Sequence, residues 1–256
     1  MISKSKIKQI KSLQQKKFRD ESGLFVAEGW KVVGDLLRSG WEATEILYVG
    51  ERAAADFLAL LKSCHGMTTM VSEAELERMS GLQSPQGVIG VFGKRDEQSA
   101  ESIDLSDYVI ALDGVQDPGN VGTIIRIADW FGFGTIVCSR DTADAYSPKV
   151  VQATMGSIAR VNIVRTDLLA FLQNLPTDVP VYGTLLDGES IYKERFSQRG
   201  IVVMGNEGNG ISAEVRTLVN KRLLIPSFPA NKATADSLNV AIATAIVCNE
   251  IRRKLL

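Results

Sequence analysis

Five polar residues stand where chemistry could be done. Asn120, Glu207, Ser237 and Asn239 lie at turns or helix starts, and Arg126 lies among Ile124, Ile125, Ile127 and Ala128. Glu207 sits inside Ile-Val-Val-Met-Gly-Asn-Glu-Gly-Asn-Gly-Ile-Ser (201–212), an apolar run that breaks into three glycines. Such a turn lets backbone N–H groups approach a ligand closely. A carboxylate there serves either as a base or as a clamp on the turn. Arg126 is a permanent cation with five donors, suited to a phosphate or to a salt bridge. Imidazole and metal chemistry have no material to work with. The one histidine, His65, ends a helix-like segment far from the glycines, and Cys64, Cys138 and Cys248 have no ligand spacing. The three cysteines read as buried free thiols, and no Ser-His-Asp triad can be centred on these motifs.

The elements that must position these residues follow from periodicity. Apolar runs predict strands near Tyr108–Leu112, Thr135–Cys138, Arg160–Val164, Val181–Leu185, Ile201–Met204 and Arg222–Ile225, alternating with helices. That alternation predicts a parallel sheet covered on both faces. In the first of three motifs, Leu112–Asp129, a turn of Asp117, Pro118 and Gly119 leads into a helix that Asn120 could cap, with Arg126 almost two turns inside. In the second, Ser212 is a candidate cap for a helix over Ala213–Val219. In the third, Ser237 or Asn239 could cap the last helix, Leu238–Leu255. Its small apolar residues predict burial or close packing against another helix, from this subunit or a partner.

Residues 1–94 alternate short strands and helices in a second α/β unit, and the polar stretch 95–107 reads as a linker to a domain over 108–256. The first unit opens with a basic helix reaching about Phe18. Lys4, Lys6, Lys8, Lys11, Lys16, Lys17 and Arg19 all precede the first acidic residue, Asp20. That run fits phosphate neutralisation and a solvated helix face equally. The net charge of −1 over 256 residues makes no global case for a nucleic-acid partner. No apolar stretch reaches membrane-spanning length, and the lysine-rich start has no apolar core behind it, so a cytoplasmic protein is expected.

Taken in order, the three motifs resemble those of the SpoU family of RNA ribose 2′-O-methyltransferases, within the SPOUT class. The first unit is similar to the family's substrate-binding module, itself like a ribosomal protein, through its element order and Gly23-Leu-Phe-Val-Ala-Glu-Gly29. The resemblance implies a C-terminal SPOUT α/β domain with a deep trefoil knot, S-adenosyl-L-methionine as cofactor, RNA as substrate, a homodimer and no metal. It implies cofactor contacts at Gly205, Ile225 and Leu238, largely through backbone, with Thr184 beside them. Asn120, Arg126, Glu207, Ser237 and Asn239 fall on the family's polar catalytic positions. Two departures stand out: Asp236 replaces a common glutamate, and 227–235 is longer than the usual glycine-containing link.

The implied reaction moves a methyl from a sulfonium to a ribose 2′-hydroxyl. The family's arginine, here Arg126, is credited with helping remove the proton, although arginine is normally never deprotonated. Anchoring an RNA phosphate is its other possible role, and Glu207 is a second candidate base. Ribosomal RNA is the expected substrate, with transfer RNA as an alternative. A non-catalytic RNA-binding or ribosome-assembly protein is the rival from another class. A nucleotide-binding oxidoreductase is disfavoured, because no Gly-x-Gly-x-x-Gly follows the first strand of the second domain.

Overall fold

The computed structural model describes residues 2–62, 64, 66–95, 99–229 and 235–256. His65 and the middle of the long link, 230–234, lie outside the described residues, as do three residues of the expected linker, 96–98. The chain forms two units, one of Met1–Asp96 with Asp144–Arg160, the other of Glu97–Ala143 with Val161–Leu256.

The first unit contains helices α1 (Lys4–Ser12), α2 (Lys16–Ser22), α3 (Trp30–Arg38), α4 (Ala55–Lys62) and α5 (Glu73–Glu77). Its strands are β1 (Leu24–Glu28), β2 (Ala43–Tyr48), β3 (Met67–Met70) and β4 (Val88–Gly93), in the order β1-β4-β2-β3. The expected single basic helix is two: α1 ends at Ser12, and the Leu13 that caps it is buried in the core. Ile7, Ile10 and Leu13 pack there with Val26, Leu47, Leu76, Met79 and Ile89. Each such side chain stabilises the fold by about 1.5–3 kcal/mol on leaving water. Glu28, at the end of the Gly23–Gly29 stretch, is buried and accepts from Ser80 Oγ and from the Gly81 N–H at 2.9 Å. That carboxylate holds the turn after α5.

Residues 144–160, which carry α7 (Pro148–Ala153), complete this unit although they come from the middle of the chain. Arg19 is only 2% exposed. Its guanidinium donates to Asp144 Oδ2 at 2.6 Å and to the carbonyls of Leu13 and Gln14 at 2.8 and 2.9 Å. Tyr146 packs its ring 4.9 Å from that of Phe25, and Trp41 Nε1 donates to the Ala159 carbonyl at 3.1 Å. One of the seven cations in the basic run is therefore structural.

In the second unit, β5 (Tyr108–Asp113), α6 (Pro118–Phe131), β6 (Thr135–Cys138), β7 (Asn162–Arg165), α8 (Leu168–Gln173), β8 (Val181–Ser190), β9 (Gly200–Gly205), α9 (Ala213–Arg216), β10 (Lys221–Leu224) and α10 (Val240–Leu255) follow in order. The six strands make one sheet, β10-β8-β9-β5-β6-β7, in which every neighbour is parallel. Val109, Ala111, Val137, Val164, Ile201 and Val203 supply a shared core, and Ile103, from the stretch read as linker, joins it. The strand expected at Arg160–Val164 starts later, because Ser157–Ala159 closes a tight helical turn in the first unit. Among the cysteines, Cys138 and Cys248 are buried, and burial pushes each thiol up to about 12. Cys64 is only half-buried, against expectation. No helix among the described residues is long and apolar enough to cross a membrane.

Candidate active site

From β5 the strands β6 and β7 lie to one side, and β9, β8 and β10 lie to the other. An open α/β sheet leaves a crevice at the carboxyl ends of its strands where the order reverses in this way. Here the order reverses about β5 and its neighbour β9, which run in register up to Asp113 opposite Gly205. The chain leaving β5 leads to Asn120, in the first turn of α6, and the loop leaving β9 carries Glu207.

The first loop turns at Gly114, whose φ is +68°, and enters α6 with Pro118 in its first turn. Asp117, and not Asn120, caps the helix: its Oδ1 accepts from the Asn120 N–H at 2.8 Å. Proline lacks an N–H and has a pre-set φ, so it suits the first helical position directly after the cap. The Asn120 side chain is thereby left for another partner.

The second loop closes on itself. Asn206 and Gly210 exchange two backbone hydrogen bonds of 2.9 Å, and Asn206 Oδ1 accepts from the Gly208 and Asn209 N–H groups at 2.9 and 3.0 Å. A Cβ on Gly205 would stand 2.2 Å from the Gly210 carbonyl carbon. The glycine expected to admit a ligand is thus required first by the return of its own chain. Gly210 needs its glycine for a φ of +69°. Ser212 starts α9 without a side-chain cap, and α9 ends at Arg216, shorter than expected.

Glu207 ties the loops together. Its Oε1 accepts from Asn120 Nδ2 at 3.0 Å and from the Asp117 N–H at 3.2 Å, and its Oε2 accepts from the Gln116 N–H at 3.3 Å. Partial burial pushes the carboxyl up, but the bonds from Asn120 and the backbone outweigh it and hold it below the ordinary glutamate value. Asn239 brings in the third motif. Its Oδ1 caps α10 through the Ala241 and Ile242 N–H groups at 3.0 and 3.2 Å, while its Nδ2 donates to Asn120 Oδ1 at 2.9 Å. The helix therefore starts at Val240, two residues later than expected. Asn120, Glu207 and Asn239 form one hydrogen-bonded chain across all three motifs.

Two further residues hold this arrangement and were not singled out from the sequence. Asn206 Nδ2 donates to the Gly114 carbonyl at 2.7 Å, and the buried Asp113 accepts from the Ser212 N–H at 2.7 Å. For Asn206 a signal was present: asparagine two residues before glycine favours a side-chain-closed turn. Asp113 offered none.

The remaining predicted residues are placed differently. Thr184 is half-buried, with Oγ1 4.0 Å from the sulfur of Met204, the residue before Gly205. It opens a bulge: Arg222 pairs with Gly183 and Leu223 with Glu189, so 184–188 leave the ladder. Ile225, just past β10, is half-buried, and Leu238 is 51% exposed. Outside helices and strands, no backbone hydrogen bond among the described residues involves Ile225 or Leu238. Ser237 and Arg126 are exposed, and no hydrogen bond among the described residues joins either to the Asn120–Glu207–Asn239 chain. Nor does any group of three or more His, Cys, Asp or Glu among those residues offer a metal site.

Residues 107–249 match the model of the SpoU rRNA Methylase family. The chain belongs to that family. It is an RNA methylase of the kind its three motifs resemble. Residues 4–90 match an MRM3-like substrate binding domain. Among curated relatives, the 23S rRNA (guanosine(2553)-2′-O)-methyltransferase RlmP of Bacillus subtilis is 32% identical over 249 residues, covering 96% of each protein. An AdoMet-bound rRNA methyltransferase from Sinorhizobium meliloti superposes with a TM-score of 0.88 at 34% identity, over 100% of this chain and 97% of that one. A TrmH-family RNA methyltransferase described as putative, from Porphyromonas gingivalis, has a TM-score of 0.85 at 36% identity and covers 99% of both.

Proposed function

We propose that this protein transfers a methyl group from S-adenosyl-L-methionine to a ribose 2′-hydroxyl of ribosomal RNA, most closely the 23S RNA. The observation that carries this reading is the Asn120–Glu207–Asn239 chain, which gathers the three SpoU motifs at the strand-order reversal. The names and bound ligand of the relatives supply the substrate and cofactor.

The residues fit the cofactor. Leu238 is exposed and Ile225 half-buried, and outside helices and strands no backbone hydrogen bond among the described residues involves either, which suits a flat heteroaromatic ring with polar edges. Thr184 follows the last β8 residue paired with β9, and Gly205 is the last residue of β9. The cofactor supplies a methyl activated on a positive sulfonium. As the carbon–sulfur bond breaks and the carbon–oxygen bond forms, opposite charges are partly annihilated, so alignment matters more than a charge sink. Alignment of this kind lowers barriers by up to about 7–11 kcal/mol.

Arg126 is the residue left for the RNA. Exposed and unpaired among the described residues, it is free to grip a phosphate and orient the ribose while the hydroxyl proton passes to solvent. Glu207 is committed to four protein groups counting its own backbone, and its lowered pKa suits a clamp better than a base. Ser237 is exposed and free to meet the ribose, and Asn120 and Asn239 position the loops.

The homodimer and the trefoil knot belong to the same reading. α6 and α10 pack together, yet Trp130 on one and Ile242 on the other remain exposed, a face suited to a second copy. The chain passes from β10 at the sheet's edge to α10, whose cap bonds Asn120 after the central strand β5, a path that supports a threaded end. The protein works in the cytoplasm on its ribosomal substrate.

The test is transfer of labelled methyl from S-adenosylmethionine to a 23S RNA transcript, followed by mapping of the modified nucleotide. A single ribose 2′-O-methyl position is expected. Cofactor binding by calorimetry with no methyl entering ribosomal RNA, or methyl entering a base, would overturn the reading.

A further inference from the structure

Seven cations precede Asp20, and the structure sorts them. Lys6 pairs with Glu45 at 2.9 Å, Lys16 with Asp20, Lys17 with Glu21 at 3.8 Å, and Arg19 with Asp144 at 2.6 Å. Lys4, Lys8 and Lys11 are exposed, and among the described residues none of their side-chain ammonium groups has an ion-pair or hydrogen-bond partner. All three lie on α1. Steps of four and three residues bring them within an arc of about 60° over a rise of about 10 Å. Ile7 and Ile10 are buried on a different face of the same helix. Like charges at helical spacing repel one another, so the row is destabilising until an anion answers it.

We infer that this face of α1 binds the phosphate backbone of the substrate RNA, each lysine meeting one phosphate. The inference rests on the ribosomal RNA methyltransferase reading and names a gripping surface on the unit that does not carry the three motif loops. Charge selects the occupant. The chain as a whole has a net charge of −1 and draws in no polyanion, whereas a row of unpaired lysines releases counterions from whatever phosphates it meets. Exposed lysines on one face, with their neighbours neutralised by carboxylates, give that attraction a defined place.

The test uses the full chain and a 23S RNA transcript, with dissociation constants measured across a KCl series. Each lysine–phosphate contact contributes about 0.7–0.9 to the slope of log affinity against log salt. The triple variant Lys4→Gln/Lys8→Gln/Lys11→Gln should lose about 2–3 from that slope and bind about tenfold or more weakly near 100 mM salt. Turnover at saturating RNA should be unchanged. The matching lysine-to-arginine triple should keep the slope, since it keeps the charge. Lys16→Gln/Lys17→Gln, which removes paired cations, should change it by less than about one contact's worth. Methyl transfer by the wild type together with an unaltered slope in the glutamine triple sinks this surface and leaves the enzyme standing. A lost slope in the triple, with no methyl transfer by the wild type, upholds the surface and sinks the methyltransferase.

Discussion

Arg19, set among charged residues in sequence, and Arg126, set among apolar ones, have opposite fates. Arg19, in α2, is buried and spends its guanidinium on Asp144 and two carbonyls within the first unit. Arg126, in α6 of the second unit, is exposed and has no protein partner among the described residues. The buried arginine had been grouped with possible phosphate ligands, and the exposed one could have been a salt-bridged surface residue. Their difference gives a physical criterion for function in this protein. A strong donor that the fold satisfies internally is holding the chain, and one left exposed without a protein partner among the described residues is available to a ligand.

The sharpest test of the buried side is Asp144→Ala. Removing one partner of a buried ion pair leaves the other charge uncompensated, which costs about 3–5 kcal/mol. Chemical denaturation should show that loss, while turnover per folded molecule stays close to wild type. A loss under about 1 kcal/mol would mean that Arg19 finds water or another anion, as surface pairs do. On the exposed side, Arg126→Ala should leave stability and cofactor affinity untouched and lower kcat by about 10²–10³-fold, the usual result of deleting one preorganised charge from a reacting centre. Retention of wild-type turnover with normal RNA binding would remove Arg126 from the site and break the comparison.

Much of the second unit was legible because parallel strands buried on both faces are written as short apolar runs. Thr135–Cys138 was placed to the residue, and the sheet has the six expected strands. Ends were less legible. Asp117, Asn120, Ser237 and Asn239 are all competent caps by composition, and only packing decides that Asp117 and Asn239 serve while Asn120 bridges two loops. Least legible was the inclusion of 144–160 in the first unit. Asp144 and Tyr146 carry no local mark of partners at Arg19 and Phe25, far off in the chain, because long-range packing leaves no trace in spacing. Of the site itself, the sequence resemblance pointed to the three loops, but their hydrogen-bonded linkage through Asn120 is a property of the folded chain.

The same criterion applies within the glycine loop, on a smaller scale. Gly205→Ala would drive a Cβ into the Gly210–Ile211 backbone, with contacts of 2.2 and 2.3 Å. Since backbone cannot swing aside as a flexible side chain does, about 1–3 kcal/mol of stability should be lost. Cofactor affinity should fall as the loop shifts. If affinity fell while stability held, Gly205 would be making room for the ligand and not for its own chain.

Glu207→Gln should have the smallest effect, and it discriminates most finely between a held group and a working one. A glutamine keeps the shape of the side chain and can still accept at one oxygen, so the loops stay together and kcat should fall by less than about tenfold. A general base would cost about 10²–10⁴-fold on the same change. The pH behaviour follows from the lowered pKa. A carboxyl whose folded pKa lies below its unfolded value stabilises the fold above the unfolded pKa, and that stabilisation fades as pH falls through the folded value. The stability gap between wild type and Glu207→Gln should thus be constant from neutrality down to about pH 5 and close only in stronger acid, below the ordinary glutamate range of about 4.3. A gap that closed between pH 6 and 7 would mean a raised pKa and a carboxyl poised to take a proton, and Glu207 would then move to the working side with Arg126.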